Sequence, residues 1–126
     1  MRIVGLGVDL AEVSRVRRLL DRHGDSFRRR CFTDREWEYA QRYADPSARL
    51  AGRFAGKEAV MKSLGTGWRR VRWTDIEITG GGMPRVNLSG RAAERAAMLG
   101  VNEIKLTITY EGDQALVFAV SVGEHA

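Results

Sequence analysis

Apolar positions alternate in the first segment. Ile3, Val4, Leu6 and Val8 predict a strand over residues 2–8, with Gly5 and Gly7 leaving room for close approach of a backbone or a ligand. The period then changes to helical: Val13, Val16, Leu19 and Leu20 repeat up to a stop at Gly24, and Arg15, Arg18 and Arg22 (i, i+3, i+7) form one basic stripe on the other side. Thr33-Asp34-Arg35-Glu36 has the capping-box pattern and predicts a short polar helix through Trp37 to about Tyr43. The clearest helix follows, with Asp45 as N-cap, Pro46 in the first turn, an apolar stripe of Leu50, Phe54, Met61 and Leu64, and Gly65 as its end.

Beyond Gly65 the pattern is mostly of strands. Residues 73–78 alternate as a half-buried strand, Gly80 to Pro84 turn the chain, and residues 85–88 return. Ser89 is a candidate cap for an Ala-rich helix from Arg91 to Leu99, stopped by Gly100. Residues 104–110 and 115–122, joined through Glu111-Gly112-Asp113, predict a closing antiparallel hairpin. No repeat, low-complexity tract or linker interrupts this order. It predicts one α+β domain over residues 1–126, an antiparallel sheet packed on a long central helix.

Composition narrows the setting. The single cysteine, Cys31, cannot close an internal disulfide, which points to a reducing, cytoplasmic compartment. Asp9 interrupts the N-terminal apolar run too soon for a signal peptide, and no uncharged apolar run nears membrane-spanning length. The net charge of +5 is unevenly spread: residues 1–72 carry 17 basic and 9 acidic side chains, residues 73–126 carry 4 and 7. A positive field concentrated in the first part suits an anionic partner. Only three of the 21 basic residues are lysines, and Lys57 and Lys62 lie close together, as if the compact ammonium were wanted there.

Three features carry candidate chemistry. Asp9 stands where the glycine-bearing strand runs out, a convenient place for a Mg2+ ligand. Glu58 and Lys62 (i, i+4) share a face of the long helix, among Phe54, Ala55 and Gly56, where a charged pair is costly to bury without a further partner. The loops Gly65-Thr66-Gly67 and Gly80 to Pro84 let backbone N–H groups approach phosphate, although neither has P-loop spacing. Two carboxylates, a lysine and a positive surface are what a Mg2+-bound pyrophosphate needs, and a lysine at the scissile phosphate offsets developing charge. The combination predicts phosphoryl-type transfer. An Arg-rich nucleic-acid-binding module would use the charge but leave Asp9, Glu58 and Lys62 without a task.

Over nearly its whole length the sequence resembles the holo-acyl-carrier-protein synthases, the small bacterial type of 4'-phosphopantetheinyl transferase. The resemblance rests on Gly5-Leu6-Gly7-Val8-Asp9-Leu10, on Arg53-Phe54-Ala55-Gly56-Lys57-Glu58-Ala59-Val60-Met61-Lys62 with Gly65-Thr66-Gly67, on Asp75-Ile76-Glu77-Ile78, and on Gly82-Met83-Pro84-Arg85. It implies the fold of that family and transfer of the phosphopantetheine arm of coenzyme A to a serine of an apo acyl carrier protein. It also implies Asp9 and Glu58 as Mg2+ ligands, Lys62 beside the transferred phosphate, and Arg53, Gly65, Thr66, Gly67, Pro84 and Arg85 along the nucleotide. A homotrimer with sites between subunits follows from the same resemblance, as does an acidic carrier docking on Arg15, Arg18 and Arg22. The pattern departs at one place. The family usually has Ser-x-Thr-His or Ser-x-Ser-His where this chain has Thr107-Ile108-Thr109-Tyr110. Tyr110 can donate a hydrogen bond to coenzyme A but is uncharged at neutral pH, which leaves room for a member that binds its substrates and transfers slowly.

Overall fold

The computed structural model describes residues 1–124. Strand β1 (Arg2–Glu12) is longer than its apolar alternation predicts, because it pairs along its length with β5 (Gln114–Gly123), from Arg2 against Gly123 to Glu12 against Gln114. Backbone pairing of this kind leaves no trace in side-chain pattern. β5 pairs on its other side with β4 (Val101–Glu111), so the antiparallel sheet has the order β1-β5-β4. A separate antiparallel hairpin joins β2 (Ile76–Thr79) to β3 (Arg85–Leu88), turning at residues 80–84 as the glycines predict.

Helix α4 (Pro46–Ser63) lies across the inner face of the sheet and carries the core. Asp45 caps it by accepting from the Ser47 N–H (3.1 Å), and Leu50, Ala51, Ala55, Ala59 and Val60 are fully buried. Small residues set the distance. A side chain at Gly5 or Gly7 would collide with the Ser63 or Ala59 carbonyl, so β1 presses directly on the last turns of α4. At the other end of the helix, Gly52 faces Tyr110 and Ile108 of β4. α4 therefore runs from the β4 edge of the sheet to the β1 edge.

Helix α1 (Val13–His23) keeps Val13 and Val16 buried, and Gly24 ends it as expected. Its N-terminus is held from far along the chain. Glu12 makes no side-chain cap; Asp113, in the β4–β5 turn, accepts from the Ser14 N–H (3.0 Å) and hydroxyl, and its carbonyl accepts from the Val13 N–H (2.8 Å). The capping box at Thr33 is formed, but its helix α3 (Asp34–Ala40) stops short of Tyr43.

Several expectations are corrected. Helix α2 (Asp25–Cys31) has no sequence signal: only Phe27 and Cys31 of its seven residues are buried, too few to show a period. Trp73–Asp75 is a short 3-10 turn rather than the start of a strand, closed by Asp75 accepting from the Arg72 N–H (3.2 Å). Ser89 does not cap α5 (Gly90–Leu99); its hydroxyl reaches the Asp75 carbonyl at 3.5 Å. Lys57 is a core residue. Its ammonium is wholly buried against Glu36 of α3 (2.7 Å) and donates to the Trp73 (3.0 Å) and Ile76 carbonyls. Burial pushes its pKa down and Glu36 opposes that push.

The outer face of the sheet is apolar. Leu6, Val8 and Leu10 of β1 stand opposite Val120, Phe118 and Leu116 of β5, and apart from Val120 these side chains are between 42% and 57% exposed.

Candidate active site

From Gly5 on, past the irregularity after Ile3, the odd-numbered positions of β1 face α4. This brings Asp9, two residues past Gly7, to the flank of the helix that carries Glu58 and, one turn on, Lys62. The Lys62 ammonium donates to Asp9 Oδ1 (3.2 Å) and to the Val8 carbonyl (3.0 Å). It thus reaches across to the strand instead of pairing with Glu58 along the helix, and its side chain stays about half exposed, at 53%. Glu58 lies against Asp9. Burial, and then the hydrogen-bonding contact and charge of Asp9, push its carboxyl up to about 7, with Lys62 and Arg15 pulling the other way. Without a cation the two adjacent carboxyls hold a proton between them, and a divalent cation at the same oxygens would displace it.

Mg2+ fits this donor set. Among the described residues no cluster offers three or more His, Cys, Asp or Glu ligands. Mg2+ is commonly bound through one or two carboxylates, with water and substrate phosphates filling its octahedron.

Arg15 opens α1 close enough for its charge to act on Glu58. With Arg18, Leu19, Asp21 and Arg22 it borders an open groove. These three arginines are exposed and make no ion pair among the described residues, whereas Arg17 is paired with Asp45 (2.8 Å). Gly65 to Gly67 follow Lys62 directly; Gly65 takes a left-handed φ of 64°, and Arg95 holds the turn by donating to the Leu64 carbonyl (2.9 Å).

The remaining sequence candidates lie on the other flank of α4. Arg53 is only 2% exposed, donates to the Gly80 carbonyl (2.7 Å) and stacks on Tyr39 at 4.2 Å. Tyr110, on edge strand β4, packs its hydroxyl against Gly52. Pro84 and Arg85 open β3 and border a groove shared with residues 102–107 of β4. One chain therefore gathers Asp9, Glu58, Lys62 and Arg15 at the β1 edge, and Arg53, Tyr110, Pro84 and Arg85 toward the β4 side. Sequence reasoning passes over Tyr39, Tyr43 and Arg49, which complete the second group; the i, i+4 spacing of the two tyrosines and of Arg49 with Arg53 was their only signal.

The fold has counterparts among known proteins. Residues 5–119 match the 4'-phosphopantetheinyl transferase superfamily, and the chain belongs to that family. Its relatives there are holo-acyl-carrier-protein synthases. The one from Solibacter usitatus is 50% identical over 111 residues, covering 86% of this chain and 89% of the relative. The solved holo-acyl-carrier-protein synthase of Neisseria meningitidis is 30% identical and matches with a TM-score of 0.86 over 96% of this chain and 99% of that one. The enzyme from Bacillus anthracis, solved in complex with CoA (3',5'-ADP), is 28% identical, with a TM-score of 0.77 over 97% and 98% of the two chains.

Proposed function

We propose that this chain transfers the 4'-phosphopantetheine moiety of coenzyme A to a serine of an apo acyl carrier protein and releases adenosine 3',5'-bisphosphate. The observation that carries this reading is the meeting of Asp9, Glu58 and Lys62 at the β1 edge. In the reaction a bond forms between the serine oxygen and the pantetheine-side phosphorus, and the bond from that phosphorus to the departing bisphosphate breaks. Asp9 and Glu58 hold Mg2+, which when bound neutralises the pyrophosphate. Lys62, anchored on the Val8 carbonyl yet half exposed, offsets charge growing on the leaving group. The serine proton passes to Glu58 or to a water of the site.

The other assignments extend this reading. Gly65, Thr66 and Gly67, with Arg53, Pro84, Arg85 and Tyr110, bind the nucleotide. These residues sit on two flanks of α4, so a complete site needs a second copy, and the apolar outer sheet face is the surface on which three copies would join. Arg15, Arg18 and Arg22, which make no ion pair among the described residues, form the docking stripe for an acidic carrier, beside Asp9 and Glu58. Residues 1–126 act as one cytoplasmic domain; among the described residues no helix is long and apolar enough to cross a membrane.

Mass spectrometry of an apo carrier incubated with this protein, coenzyme A and Mg2+ tests the proposal. The expected result is a gain of one phosphopantetheine, reduced about 10²–10⁴-fold in Asp9→Asn and Glu58→Gln with the fold intact. Full transfer by either variant removes the metal assignment, and no mass gain with the unaltered protein overturns the function.

A further inference from the structure

Much of the positive charge of the first 72 residues is still without a task, and part of it converges on one place. The segment between α4 and β2, with α2 and the start of α5, borders an open cavity of about 660 Å³. Arg30, Arg69, Arg70, Arg72 and Arg91 line it, all of them exposed and none in an ion pair among the described residues. The one acidic side chain in the wall, Asp75, is buried and engaged: it accepts from the Arg72 N–H (3.2 Å) and packs against Gly90. Guanidinium groups gathered without free carboxylates repel one another, and an anion among them relieves that repulsion. No residue assigned above to the metal, the transferred phosphate, the nucleotide or the carrier borders this cavity.

Its chemistry is more than charge. Trp68 stands in the same wall and is 48% exposed. The guanidinium groups of Arg30 and Arg69 lie 5.7 Å and 5.2 Å from the centre of its ring, within cation–π range. An open indole among arginines offers a stacking surface for a base beside donors for phosphate. The volume is that of a small-molecule pocket. Only one ring is available for stacking, because Trp73, the other indole of the wall, is buried and stacked on Phe54 with ring centres 4.7 Å apart. One platform holds one base, whereas a strand of nucleic acid is bound on successive platforms along a groove.

We propose that this cavity is a second nucleotide site, which takes a nucleoside polyphosphate with its base on Trp68 and its phosphates among Arg30, Arg69, Arg70, Arg72 and Arg91. Each guanidinium fork can hold two phosphate oxygens, so five of them suit several phosphates rather than one. Stacking accepts any base, and the number of phosphates sets the selectivity. The site stands whether or not the chain is a transferase.

The test is calorimetry on the full chain at about 0.15 M salt, where diffuse attraction is screened beyond about 8 Å, joined to tryptophan fluorescence. The probes are guanosine 5'-triphosphate, guanosine 5'-monophosphate, inorganic tripolyphosphate and oligouridylates of increasing length. The triphosphate is expected to bind about 10- to 100-fold more tightly than the monophosphate, the range for hydrogen bonds to a charged group. It should also exceed tripolyphosphate, which has no base to stack, by about 5- to 100-fold. Trp68→Phe keeps a ring and should keep the affinity while losing most of the fluorescence change. Trp68→Ala, and Arg70→Glu with Arg72→Glu, should each weaken the triphosphate at least about tenfold. No binding, tripolyphosphate equal to the nucleotide, or a fluorescence change that survives in Trp68→Phe overturns the site. Affinity that grows with oligouridylate length gives the patch to nucleic acid instead. A charge-reversed variant that raises KM for the carrier yet binds the triphosphate as before gives the arginines to the carrier, and either result likewise overturns the proposal.

Discussion

Glu58 gives the protein its pH dependence. Its carboxyl stands at about 7 in the folded chain against 4.5 when free, chiefly through burial and then through Asp9. The folded state therefore holds a proton that the unfolded state releases at lower pH. The associated stability is fully present below pH 4.5 and is lost as pH rises through about 7. A bound divalent cation favours the ionised pair and reverses the trend. In Mg2+-free buffer the melting temperature is expected to fall across that window, and added Mg2+ should raise it more above pH 7 than below. A melting temperature equally indifferent to pH and to Mg2+ would break the coupling of Asp9 and Glu58. Lys57 makes the contrasting case. In sequence it is the twin of Lys62, five residues away; in the fold it is sealed against Glu36. Five residues along a helix put the two lysines about 140° apart, but the spacing does not tell which of those faces α3 closes and which lies beside β1. Lys57→Met strands a buried carboxylate and should cost about 3–5 kcal/mol in urea unfolding, with part of the loss recovered in a double variant that also carries Glu36→Gln.

Helix boundaries were legible where the determinants are local. Thr33 with Glu36 and Asp45 with Pro46 announce α3 and α4 because a cap and its target lie within one turn. α1 shows the opposite: its helical period is plain, but its cap, Asp113, comes from the far end of the chain. α2 lacks both cap and period. The basic stripe on α1 was visible from spacing alone; that its arginines have no ion pairs among the described residues, while neighbouring Arg17 has one, needed the structure. A helix face bearing unpaired guanidinium groups beside the site should steer an acidic carrier. Arg18→Glu with Arg22→Glu is expected to raise KM for the carrier at least about tenfold with little change in kcat, and to flatten the dependence of kcat/KM on salt. An unaltered KM would move the docking face elsewhere.

Taken whole, the molecule presents an unusual balance, with a tightly filled inner sheet face and an apolar outer one. Phe118 sits near the middle of that outer face, opposite Val8. On the proposed trimer, Phe118→Lys should leave a folded monomer by analytical ultracentrifugation and abolish transfer, since a site shared between subunits would then be incomplete. A fully active monomer would show instead that one chain suffices. The chemistry of Asp9, Glu58 and Lys62, which the structure brings together, was legible in the sequence as a candidate site. Its separation from Arg53 and Tyr110 was not, because it depends on which edge of the sheet each end of α4 covers. The strand order has a further consequence, for biosynthesis. β5, the last strand in sequence, lies between β1 and β4, and the turn that leads into it holds the start of α1. A nascent chain must keep β1 unpaired, and α1 unanchored, until residues 114–123 leave the ribosome. A translation product that stops before residue 114 cannot close the sheet and displays the unpaired edges of β1 and β4.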